Sequence, residues 1–180
     1  MYSLAFMPHA ILTAIGGDRP GLVDEVSEFV FSRGGNIEDS RMVNLRGQFA
    51  MMVLLGGGAD VIDRIRNELN QLARETSLRA ELHPAVESAA ATPHALPFRL
   101  KGTGIDQPGL VHKLAHLLRG LQVNIESLDS RLRPAPYTGA PMFEMELVLA
   151  VPTTTSLSQL RENVARLCDQ MNIDWELEPA

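Results

Sequence analysis

The chain has 180 residues, with 16 Lys and Arg against 22 Asp and Glu, a formal charge of −6. Hydrophobic residues are 45% and charged residues 21%, the balance of a soluble globular chain of one or two domains, which excludes a disordered polymer. The acidic balance argues against nucleic-acid binding by bulk positive charge. The one cysteine, Cys168, excludes an intramolecular disulfide and a multi-cysteine metal site.

Met1 to Ile15 shows no basic region followed by a long apolar run and a cleavage site, so no signal peptide is expected. No apolar stretch reaches the roughly 18 residues of a membrane helix. A cytoplasmic protein is the expectation.

In chain order, Ala10 to Ile15 is a short apolar run ended by Gly16-Gly17 and reads as a strand. Asp18 is placed to cap a helix that tolerates Pro20 in its first turn. Leu22, Val23, Val26, Phe29 and Val30 recur at helical spacing, and Gly34-Gly35 stops the helix. Ile37 to Leu45 and Phe49 to Leu55 read as a hairpin turning at Arg46-Gly47-Gln48. Gly56-Gly57-Gly58 has no Gly-Lys-Ser/Thr after it, so it is a flexible turn rather than a phosphate loop. Val61, Ile62, Ile65, Leu69 and Leu72 mark a second helix, and Ser77 to His83 a last strand carrying Leu78 and Leu82.

Pro84 to Pro97 is rich in Ala and Pro and reads as an extended linker. The pattern then repeats. Phe98 to Gly104 is a strand, Pro108 to Leu121 a helix with Leu110, Leu114, Leu117, Leu118 and Leu121 on one face. Val123 to Leu132 and Met142 to Val151 are strands joined by a longer loop through Pro134, Pro136, Tyr137, Gly139 and Pro141. Leu157 to Met171 is a helix and Ile173 to Leu177 a strand.

The repeat is literal in places. Gly16-Gly17-Asp18-Arg19-Pro20-Gly21-Leu22-Val23 returns as Gly104-Ile105-Asp106-Gln107-Pro108-Gly109-Leu110-Val111, an offset of 88 residues. Asn36-Ile37-Glu38 returns as Asn124-Ile125-Glu126 at the same offset. Asp39-Ser40-Arg41 matches Asp129-Ser130-Arg131 at an offset of 90, which implies a two-residue insertion between these blocks in the second copy. The expected organisation is a module at 1–83, a linker at 84–97 and a module at 98–180. Each module has the order βαββαβ. Right-handed crossovers put both helices on one face of a four-stranded antiparallel sheet, so the fold class is α+β with two ferredoxin-like modules.

Ferredoxin-like modules serve many functions, so the residues must discriminate. Phe49 to Leu55 has one aromatic and no RNA-stacking signature. The first loop has no cysteine pair for metal transfer. His112 and His116 are four apart on a helix, but Lys113 stands where a zinc protease has glutamate, and they read as part of a solvated face. Cys168 falls in an apolar stripe with Val164, Leu167 and Met171 and reads as core. No catalytic residue, metal or cofactor is assigned.

The repeated loop remains. Its amides sit at a helix N-terminus, which suits a carboxylate. Gly21 and Gly109 let a ligand or another backbone come close. Asn36 and Asn124 offer an amide that both donates and accepts. A small amino acid needs that mixture. Helix capping by Asp18 and Asp106, and a plain turn role for Asn36, are the structural alternatives.

Asp18-Arg19-Pro20-Gly21-Leu22-Val23, followed by Gly35-Asn36-Ile37-Glu38-Asp39-Ser40-Arg41, resembles an ACT domain. The tandem pair, covering nearly all of the chain, resembles the glycine cleavage system transcriptional repressor family. The second copy departs from the pattern at Gln107, in place of Arg19, and at Val123, in place of Gly35. The resemblance implies a non-enzymatic regulator that binds a small amino acid, glycine by analogy, at an interface between modules. It carries over Asp18, Gly21, Asn36 and Ile37, and Asp106, Gly109, Asn124 and Ile125, as ligand contacts. It also implies a DNA-binding transcriptional activator as protein partner, no direct contact with nucleic acid, and a homodimer. The alternative is a ligand-free adaptor or a detached regulatory subunit of an amino-acid enzyme.

Overall fold

The computed structural model describes residues 9–85, 94–135 and 139–180. The chain divides into two compact units, Met1–Glu87 and Ser88–Ala180. The first contains β1 (His9–Gly17), α1 (Leu22–Phe31), β2 (Asn36–Leu45), β3 (Gln48–Gly56), α2 (Ala59–Thr76) and β4 (Arg79–Pro84). The second contains β5 (Ala95–Ile105), α3 (Leu110–Gly120), β6 (Asn124–Pro134), β7 (Pro141–Pro152), α4 (Leu157–Met171) and β8 (Ile173–Pro179). The sheets have the orders β2-β3-β1-β4 and β6-β7-β5-β8, all antiparallel. Each is the ferredoxin-like order, with the first and third strands of the module in the centre. Strands β4 and β5 both extend into the stretch read as linker, and its middle, 86–93, lies outside the described residues.

Period-two alternation builds the core. Ala10, Leu12 and Ala14 of β1 and Phe49, Met51, Val53 and Leu55 of β3 are buried against Leu22, Val26, Phe29 and Val30 of α1 and Ile62, Ile65 and Leu72 of α2. The second unit repeats the plan with Phe98 and Leu100, Leu147 and Leu149, Leu114 and Leu118, and Leu160, Val164 and Cys168. Burial, with Asp169 adding to it, pushes the Cys168 thiol up to about 11, which suits core packing rather than reactivity. Arg33 ties α1 to α2. It stacks 3.7 Å from the Phe29 ring centre and donates to Glu68 (2.9 Å) and Gln71 (3.1 Å).

Three expectations are corrected. Helices α1 and α3 begin at Leu22 and Leu110, not at the prolines before them. Gly21 (φ 94°) and Gly109 (φ 90°) are the N-caps, so Pro20 and Pro108 lie in the loop, and neither Asp18 nor Asp106 caps a helix. Leu78 is buried just ahead of β4 rather than on it.

The third correction concerns the insertion. Both modules carry a bulge straight after the repeated Asn-Ile pair, between Ile37 and Asp39 and between Ile125 and Ser127. Asn36 faces Gly56 and Asp39 faces Leu54, while Asn124 faces Ala150 and Ser127 faces Val148. The strands therefore stay at an offset of 88 beyond the bulge, and Asp39 is equivalent to Ser127. The added residues all lie in the hairpin, where Arg46-Gly47 (φ 51° and 81°) makes a two-residue turn in the first module. The second module spans Pro134 to Pro141 there. Of the residues named for that loop, Pro136 and Tyr137 lie outside the described residues.

Gly16 and Gly104 share a steric reason. A Cβ on Gly104 would stand 2.8 Å from the Asn172 carbonyl oxygen, where the backbone leaves α4 in a left-handed turn (φ 50°). On Gly16 it would stand 3.2 Å from the Ser77 oxygen. Gly104→Ala is expected to destabilise the protein by about 1–3 kcal/mol, the usual range for forcing a methyl into a packed site, as read by urea denaturation.

Candidate functional site

The first loop hangs on the hairpin turn. The Asp18 amide donates to the Gly47 carbonyl (2.9 Å), and the Asn44 side-chain amide donates to the Asp18 carboxylate. Asn44 also accepts from the Gly47 amide (3.2 Å). One asparagine thus holds both the turn and Asp18. After Pro20 the chain turns through left-handed Gly21, whose carbonyl accepts the first helical bond from the Glu25 amide (2.9 Å). Arg19 grips Glu25 with two bonds (2.5 and 2.7 Å), which holds the Glu25 carboxyl below its usual range. What this exposed pair contributes is present above the ordinary carboxylate range and is lost as the pH falls through the lowered value.

A concavity of about 490 Å³ lies on this loop, lined by residues 18–24, Met42 and Phe49. Leu22, Val23, Met42 and Phe49 make its apolar part, and Asp18, Arg19 and Asp24 its charged part. Asp24 and Glu25 place two carboxylates in the first turn of α1, and Arg19 offsets one of them.

The second loop is anchored differently. The Asp106 amide donates to Pro141, across the longer hairpin (3.1 Å). Gln107, where the first module has Arg19, donates from its side chain to the Met171 carbonyl (2.7 Å) and stitches the loop to the end of α4. The first turn of α3 holds no acidic residue.

Asn36 and Asn124 are exposed at the starts of β2 and β6, and Ile37 and Ile125 are half-buried against the cores. Asn124 and Ile125 line a second concavity of about 350 Å³ with Arg119 and Gln122. In the first module Glu38, in the bulge after Ile37, folds over Gly56 and pairs with His9 (3.0 Å).

The structure does not bring the two halves of either predicted site together within a module. Asn36 faces Gly56, which faces His9 at the start of β1, while Asp18 follows the end of β1. The nine residues of β1 separate them by roughly 25–30 Å at about 3.3 Å per residue. The same ladder separates Asp106 from Asn124. Sequence reasoning missed Asn44 and the Arg19–Glu25 grip. An asparagine before a two-residue glycine turn was the available signal for the first.

His112 and His116 are exposed, with ring centres 6.1 Å apart. Among the described residues no group of three or more His, Cys, Asp or Glu could hold a metal ion, and no helix is long and apolar enough to cross a membrane.

The ACT-domain family model matches residues 9–83, and the second unit repeats its strand order. The chain belongs to the ACT-domain family, as a tandem pair. The glycine cleavage system transcriptional repressor of Escherichia coli (strain K12) is 26% identical over 170 residues, covering 94% of this chain and 89% of that protein. UPF0237 protein MK1213 of Methanopyrus kandleri is 39% identical over 71 residues, covering 38% of this chain and 79% of that protein. A crystal structure described as a candidate glycine cleavage system transcriptional repressor superposes with a TM-score of 0.71 at 25% identity, over 97% of this chain and 98% of that one. A protein of unknown function from Galdieria sulphuraria shares the fold with a TM-score of 0.80 at 23% identity, over 97% and 99%.

Gly21→Ala and Gly109→Ala test the loops of this ACT pair. A side chain at either φ costs about 1–2 kcal/mol, and at Gly21 the new methyl also meets Glu25 at 3.3 Å. In urea denaturation both variants are expected to lose stability, Gly21→Ala the more, because it alone also disturbs the Arg19–Glu25 grip.

Proposed function

We propose that this protein is a non-enzymatic, amino-acid-responsive regulator of the cytoplasm that modulates transcription of glycine cleavage genes through a DNA-binding activator. Its sensor modules are residues 1–83 and 98–180, connected by 84–97. The observation that carries the reading is the concavity at the left-handed Gly21 loop, whose lining joins Asp18, Arg19 and Asp24 with Leu22, Val23, Met42 and Phe49. An amino acid offers an ammonium to the carboxylate and a carboxylate to the cation and the amides. Similarity to the E. coli repressor over most of both chains supports the regulatory role. The formal charge of −6 supports a protein partner over direct DNA contact.

Because Asp18 and Asn36 stand at opposite ends of one sheet, a ligand touched by both types of residue is held by two modules. Asp18 and Gly21, or Asp106 and Gly109, come from one; Asn36 and Ile37, or Asn124 and Ile125, come from another. In a homodimer such a ligand stabilises one arrangement of protomers over another. It does so only to the extent that it binds them differently. Glycine is the first ligand to try.

Isothermal calorimetry with glycine, then a panel of amino acids, tests the reading. A saturable signal is expected. Asp18→Ala and Asn36→Ala are each expected to weaken it about tenfold or more, about 1.4 kcal/mol, without change in circular dichroism. No signal at millimolar ligand would move the assignment to a ligand-free adaptor. Binding unaffected by both substitutions would overturn the site.

A further inference from the structure

The two modules share a fold but not a surface. The face of each sheet away from its helices can be compared position by position, because the ladders align. In the first module the central strands present Ile11, Ile15, Met52 and Leu54 there, and β2 adds Val43 and Leu45. Ile15 is 50% exposed, Val43 43%, Leu45 66% and Met52 52%. The equivalent positions in the second module are Arg99, Thr103, Glu146, Val148, Arg131 and Arg133. These charges pair with one another: Arg99 with Glu146 (3.2 Å), Arg131 and Arg133 with Glu144 (3.6 and 3.1 Å), Lys101 with Glu178 (3.0 Å), although the Arg99 Nε makes no hydrogen bond. One face is dominated by paired charges, which hold water rather than an apolar partner. The other is a contiguous apolar patch of the kind that marks an interaction site.

We infer that the open sheet face of the first module docks on the same face of a second copy of this chain. Self-complementarity points to that occupant. The apolar centre is flanked by Asp39 and Arg41 on β2, and by Arg79, Glu81 and His83 on β4. Each flank carries both signs, so a two-fold axis sets acid against base without an excess of either. A partner of strong net charge would find no complement there. The size also fits. Four strands about 4.8 Å apart and six to ten residues long present roughly 500 Å² per copy. A face-to-face pair then buries about 1,000 Å², the size at which specific interfaces begin. Two such sheets stack about 10 Å apart with side chains interdigitating. The shallow groove beside Met52, between Asp39, Arg41 and Leu54, is open to receive a side chain from the partner face.

The inference deepens the homodimer in the proposed function and rests on that reading, but the sheet face shares no residue with the Gly21 loop. Sedimentation velocity of the full chain from 1 to 100 µM, without amino acid, reads it directly. The decisive variant is I11R/M52E, which transplants the Arg99–Glu146 pair of the second module onto the equivalent positions of the first. The wild type is expected to sediment as a dimer and the variant at the 19.7 kDa chain mass, with dimerisation at least 100-fold weaker. Circular dichroism checks the fold. If the double variant does not fold, L45R, which places the residue of the second module at an exposed site, takes its stead and is expected to weaken the dimer at least tenfold. A wild type that is monomeric throughout overturns the inference, whatever other protein it binds. So does a folded variant that dimerises as well as the wild type. In either case calorimetry still decides the amino-acid reading by itself.

Discussion

The structure depends on one constraint: a four-stranded sheet with two helices on one side has only one face that must be apolar. The strands alternate, so Leu12 and Val53 in the first module and Leu100 and Leu147 in the second are committed to the core. Their neighbours one residue away are committed to nothing by the fold. Duplicated modules can keep their cores and diverge on the other face at little thermodynamic cost. That divergence is what separates Ile11 from Arg99 and Met52 from Glu146. The same constraint explains why the second module tolerates a dense lattice of ion pairs. Exposed pairs of this sort contribute little stability, but they keep the face wet.

The loops obey a different logic. A βα loop and an αβ start lie at opposite ends of a strand by necessity, since the helix between them runs antiparallel to the strand. Ligand chemistry split between the two ends cannot close within one module. Under the proposed function, the assembly is then part of the site. In that reading, changes that loosen the assembly reach the ligand, and the ligand reaches the assembly by the same linkage. Gln107 marks where the modules part: in the second, this loop position is spent on Met171, while Arg19 in the first remains at the surface, held by Glu25.

Most of the fold was legible in the residues. Apolar periodicity located all eight strands and four helices, and the α4 boundaries, Leu157 to Met171, match the reading. Helix starts were misjudged because Asp-x-Pro-Gly looks like a cap followed by a first turn. Only the positive φ at Gly21 and Gly109 shows that the glycine itself is the cap. The misplaced insertion has a related cause. Asp39-Ser40-Arg41 and Asp129-Ser130-Arg131 match by letter, but the bulges at Glu38 and Glu126 and the strand pairing set equivalence. A shift of two residues keeps every side chain on its face, so nothing in the alternation pattern betrays it. The candidate site residues could be named as types but not placed relative to one another, because strand length between Asp18 and Asn36 becomes distance only once the ladder is drawn. The apolar patch was present in the letters too, though scattered over three strands that only register brings together.

The distribution of chromophores follows from the same divergence. The chain has one tryptophan, Trp175, and one cysteine, Cys168. Trp175 packs on the second core and Cys168 is buried within it. Indole emission and thiol labelling are therefore local clocks of the second module. The first module, with its Gly21 loop and apolar sheet face, is dark to both. A melt read by indole emission follows one of the two cores, and the other can loosen without changing that signal.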